Sequence, residues 1–135
     1  MIPIILSSLA GLISFILLDY IWLSQIAKKF YLTNLQDHVL LKDGALVPYL
    51  PAIPFVYIVA IIGIWVFAIP KVTTSLSAFF MGSLLGFVMY AFYDFTNLAT
   101  LKEYPWSLTI VDTLWGTFLV GVVTLIIYLT HSFIS

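Results

Sequence analysis

The chain has 135 residues and no cysteine, which excludes disulfides, thiolate metal sites and cysteine nucleophiles. It also has no arginine. All five basic residues are lysines, and none falls inside an apolar run. Charged residues of either sign make up only 8% of the sequence, against about 25% in soluble domains. A net charge of −1 and the lack of any basic run argue against a nucleic-acid partner. No Gly-rich phosphate loop and no zinc-binding spacing occurs. The two histidines, His38 in the first connection and His131 near the far end of the last apolar run, are too far apart to share a metal or a triad. No cofactor is indicated, and the metal question stays open.

What the chain has is apolar length. Hydrophobic residues account for 63%, and they gather into four segments, 2–27, 51–69, 75–98 and 107–130. A bilayer core about 30 Å thick needs roughly 20 helical residues, so each segment predicts a membrane-crossing helix. The expected fold is all-α, a single transmembrane four-helix domain over 1–135. The first run lacks a charged start and carries Asp19 with no small-x-small site behind it, so it reads as a retained helix rather than a signal peptide.

Connections follow from the breakers. Pro70, Lys71 and the "TTS" after them predict a tight turn, because proline ends one helix and Thr or Ser caps the next. "LKEYPW" separates the last two helices, with Lys102 and Glu103 marking the water interface. In the longer first connection, Thr33 and Gln36 have capping-box spacing, Leu35 and Val39 follow at helical spacing, and Gly44 offers a stop. These signals predict a short interfacial helix. Pro48 and Pro51 can open the second helix, whereas Pro54 is expected to free the Leu50 carbonyl four residues back. Trp106, Tyr104, Tyr128 and Tyr31 sit near segment ends and read as interface anchors.

Lys28, Lys29, Lys42 and Lys102 lie in the first and third connections, and Lys71 in the second. The bias favours those two connections in the cytoplasm and both chain ends outside. Depth follows from the same map. Asp19 lies nine residues before Lys28, Asp94 eight before Lys102 and Asp112 nine after Glu103. At 1.5 Å per residue all three sit roughly 12–14 Å below one surface.

Each acid has a companion three residues on, Trp22, Asn97 and Trp115, on the same helix face. The faces extend consistently: Ser8, Leu12, Phe15, Asp19 and Trp22 on the first helix; Gly82, Gly86, Tyr90, Asp94 and Asn97 on the third; Thr109, Asp112, Thr113 and Gly116 on the fourth. A charge facing lipid costs at least roughly 2.5–3.5 kcal/mol, so these stripes should turn towards one another. They predict a pocket of Asp19, Trp22, Tyr90, Asp94, Asn97, Asp112 and Trp115. Three adjacent carboxylates at low dielectric, with no internal base, cannot all stay ionised; either a proton is held or a cation completes the site. Ala78, Gly82 and Gly86 recur every fourth residue and predict a close packing seam, within the bundle or between subunits.

"DYIWLSQIAKKFY" together with "YDFTNLATLKEYPWSLTIVDTLWG" resembles the bacterial family of small membrane proteins known as domain of unknown function 2177. The likeness covers nearly the whole chain. Asp19, Trp22, Phe30, Tyr31, Tyr93, Asp94, Thr96, Asn97, Leu98, Pro105, Asp112, Trp115 and Gly116 stand at its motif positions. Tyr104 replaces the tryptophan expected before the proline, and the proline-rich start of the second helix departs from the pattern. The resemblance implies four membrane helices and an inner-membrane location, and carries no catalytic role.

Three functions remain open. The first is binding or transport of a cation, a proton or a small cationic or amphipathic ligand. The second is an accessory or lipid-binding subunit, in a homo-oligomer or larger membrane complex, whose acids organise the fold. The third is an enzyme acting on a lipid or isoprenoid, with an Asp pair as acid and base. The first is favoured, because no nucleophile or metal spacing supports the third and the common depth of the acids supports a site.

Overall fold

The computed structural model describes residues 1–35, 41–42, 45–46 and 48–135. Four helices are long and apolar enough to cross a membrane, Ile2–Ile26, Leu50–Lys71, Ser75–Thr100 and Trp106–Ile134. The protein is therefore a multi-pass, all-α membrane protein.

The first span is α1 (Ile2–Ile21) continued by a wider π-helical segment, Trp22–Ile26. It breaks at Ala27, beyond which a short helix, α2 (Lys28–Leu35), follows. The short helix of the first connection thus begins earlier than its sequence signals suggest. Thr33 lies in its last turn instead of capping its start, because α2 picks up directly where the first span breaks. Gln36, His38, Val39 and Gly44 lie outside the described residues. Leu41–Lys42 (β1) pairs antiparallel with Ala45–Leu46 (β2).

The second span opens differently from expectation. Leu50–Ala52 forms a 3-10 turn, and α3 (Ile53–Gly63) starts with Pro54 in its first turn. The Leu50 carbonyl is not freed, since the tighter turn lets the Ile53 N–H reach it. A π-helical segment, Ile64–Ala68, and a 3-10 turn, Ile69–Lys71, complete the span. Thr74 then caps α4 (Ser75–Thr100) in a reciprocal capping box with Ser77, whose hydroxyl accepts from the Thr74 N–H at 2.9 Å. After a five-residue link, α5 (Trp106–Ile134) crosses last.

α5 is the most buried of the four and packs against both α4 and α1. Its Leu119, Val120, Val123 and Ile127 meet Phe15 of α1 and Ala60 and Ile64 of the second span in one apolar core. The seam of small residues on α4 is spent inside the bundle. A Cβ added at Gly82 would stand 2.7 Å from the Val120 carbonyl oxygen, and one at Gly86 would collide with the Gly116 carbonyl. Side chains such as Phe55, Phe80 and Phe92 point outward, as lipid-facing residues should.

Candidate functional site

All three aspartates are held by neutral donors from other elements. Asp19, near the end of α1, accepts from the Tyr57 hydroxyl at 3.1 Å and from the Trp115 indole N–H at 3.2 Å. Asp94 of α4 is wholly buried; its oxygens accept from the Tyr104 hydroxyl at 3.0 Å and the Thr113 hydroxyl at 3.3 Å. Asp112 of α5 accepts a short hydrogen bond from the Tyr31 hydroxyl, which in turn accepts from the Trp22 indole at 3.1 Å. Asp94 and Asp112 are neighbours, since Thr113, the residue after Asp112, is the one that donates to Asp94. Asp19 stands apart from that pair, across a cavity.

The helix-face companions therefore work differently from the sequence expectation. Trp22 donates to Tyr31 and not to Asp19, while Trp115 donates to Asp19 and not to Asp112. A spacing of three shares a face, but a long indole reaches past its own helix to a neighbour's carboxylate. The two indoles stack almost in parallel, with ring centres 4.4 Å apart and planes 4° from coplanar. They clamp α1 to α5 at the depth of the acids.

Tyr31 and Tyr104 are more than interface anchors. Tyr31 is brought in by the break at Ala27, which folds α2 back so that the phenol is only 5% exposed. Tyr104 is returned over Asp94 by the link after α4, where Glu103 adopts a left-handed φ of 61°, uncommon for a side-chain-bearing residue. Burial, and then the charge of Asp112, push the Tyr31 phenol well above its ordinary range. Burial does the same for Tyr104. Both stay protonated donors at any physiological pH. Tyr57 escaped the sequence reading altogether; the only signal was one phenol within an otherwise apolar second span.

A cavity of about 440 Å³ lies between these elements. Asp19 and Asp112 face it, and so do four tyrosines, Tyr31, Tyr90, Tyr93 and Tyr104. Asn97 and four leucines, Leu23, Leu35, Leu101 and Leu108, complete the wall. The Tyr90 ring sits in the notch left by Gly116, where any Cβ would strike it. Of the residues expected to form the pocket, Asp19, Tyr90, Asn97 and Asp112 line it. Trp22, Asp94 and Trp115 stand behind, bonded to its walls. No lysine among the described residues lines the cavity. Among the described residues, no group of three His, Asp or Glu could hold a metal ion.

A family model described as predicted membrane protein (DUF2177) matches residues 4–129. The chain belongs to this family. Its match spans all four helices and every residue of the cavity wall. No curated protein and no solved structure matches the chain.

Proposed function

We propose that this membrane protein binds a small organic cation in the cavity between Asp19 and Asp112, within the bilayer. What supports it is the wall itself: two carboxyls and four tyrosines converge on one space, and among the described residues no basic side chain joins them. Tyrosine faces attract a cation by about 0.5–2 kcal/mol each when water is excluded, and carboxylates supply the charge that neutralises it. The volume of about 440 Å³ falls in the roughly 300–1,000 Å³ range of small-molecule pockets. A set of acids that merely organised the fold would leave no such space beside them. The membrane on this reading is the bacterial inner membrane with both chain ends outside, supported by the four lysines of the first and third connections against Lys71. A C-terminal tag reachable only from the cytoplasm would overturn that orientation.

The test is a titration of the purified protein with tetramethylammonium, followed by tryptophan fluorescence, since Trp22 and Trp115 bond directly to the wall. Saturable binding is expected. Asp112→Asn should weaken it about tenfold or more, because the charge attraction lost is worth up to roughly 4 kcal/mol at contact distance. If neutral tert-butanol binds as well as the cation does, the reading fails.

A further inference from the structure

The charged and the aliphatic residues of the cavity wall lie at different depths, in an order that runs against that of the bilayer, while Asn97, three residues from the end of α4, shares the shallow level. The wall's acids are deep: Asp19 lies seven residues before the end of the first span at Ile26, and Asp112 six after the start of the last at Trp106. At 1.5 Å per residue, both are roughly 9–10 Å below the surface. Its leucines are shallow. Leu23 is three residues from the end of its span, Leu108 two from the start of its own, Leu101 just beyond α4, and Leu35 in α2 outside the spans. All four therefore lie within about 5 Å of the surface or outside it.

A lipid has the opposite order, with its polar head at the surface and its tails deep. The geometry points to an occupant taken in charge first: an amphipathic amine or quaternary ammonium whose cation rests between Asp19 and Asp112 while its apolar body fills the leucine collar near the surface. This inference rests on the proposed cation site and adds the class and orientation of its ligand. It selects compact single-bodied cations. A phospholipid fits this order poorly, since its polar head belongs at the surface and its tails deep.

The experiment compares tetramethylammonium with butyltrimethylammonium, on wild type and on Leu101→Ser. Leu101 is 40% exposed and beyond the end of α4, so its change leaves the helix intact. In the wild type the added methylenes should tighten binding by up to about fourfold each, equivalent to ~0.8 kcal/mol per buried methylene. Leu101→Ser should weaken the butyl probe by roughly fivefold more than the methyl probe. Water-soluble dihexanoylphosphatidylcholine should displace neither.

Each failure points to one claim. If tetramethylammonium binds but the butyl chain brings no gain in the wild type, the orientation is wrong and the cation site stands. Equal weakening of both probes by Leu101→Ser, or of neither, overturns the orientation in the same way, as does displacement by the phospholipid. If tetramethylammonium does not bind at all, the cation site falls and the orientation with it.

Discussion

The two halves of the bundle are built on opposite principles. In the half bearing the chain ends, α4 and α5 touch backbone to backbone through Gly82, Val120 and Thr124, and α1 and α3 fill the flank with Phe15 and Ala60 against Ile127 of α5. Polar contacts there are few: Trp65 donates to Ser8 at 2.8 Å, and Thr124 returns its hydroxyl to its own helix at the Val120 carbonyl, 2.7 Å away. In the other half the helices are joined by hydrogen bonds between side chains, and a cavity replaces the glycine contact. The contrast teaches where stability and chemistry are separated. Without a hydrophobic drive between helices in lipid, close packing of small residues holds one half together. The other half can then leave space among its acids.

Overpacking the tight half should do the most damage. Gly86→Leu places a side chain where the Gly116 carbonyl stands, and overpacking of this kind costs about 1–3 kcal/mol or more. Thermal unfolding in detergent should show a large loss, and an unchanged midpoint would mean that the seam is not the structural half at all. In the polar half, Tyr31→Phe strips Asp112 of its donor and Trp22 of its acceptor. The expected cost is about 1–2 kcal/mol, with a shift in tryptophan emission, as interhelical hydrogen bonds in membranes are modest.

Asp94→Asn should leave stability within about 1 kcal/mol, because an amide keeps the shape of the carboxyl. Its signature is spectroscopic. Two neighbouring carboxyls held away from water favour sharing one proton. Infrared spectra of the wild type at neutral pH should therefore contain a protonated-carboxyl band that the variant lacks. Two ionised carboxylates in the wild type would break that assignment. Smallest of all is the lipid face. Phe92 is 77% exposed, and Phe92→Leu should stay within about 0.5 kcal/mol.

Much of this contrast is legible in the residue order, because a bilayer imposes simple rules on length and polarity. The four spans follow from apolar runs, and the shared layer of Asp19, Asp94 and Asp112 from their distances to lysine and glutamate. The small stripe at Gly82 and Gly86 is legible as a seam, though its partner, α5, is not. Partners of the acids are not legible either. Periodicity locates a Cβ on a face, whereas Trp22, Trp115 and Tyr57 act through atoms several ångströms beyond it, on other helices. Tyr31 and Tyr104 depend on two local breaks, at Ala27 and at Glu103, that turn residues of the connections back onto the acids. Neither position holds a glycine or proline that would announce its turn. Pro54 misleads in the other direction, since a change of helix type at Leu50–Ala52 absorbs the break it implies.

The bonds to Asp19 also carry a timetable. Its two donors, Tyr57 and Trp115, lie 38 and 96 residues further along the chain. A ribosome delivers α1 first, so this helix enters the membrane with its acid unpartnered. It must wait for nearly the whole protein to be synthesised before the second donor arrives. A chain truncated before α5 would present a bare intramembrane carboxyl, the kind of defect that quality-control proteases can detect. α5 thus supplies the last of the donors that Asp19 waits for.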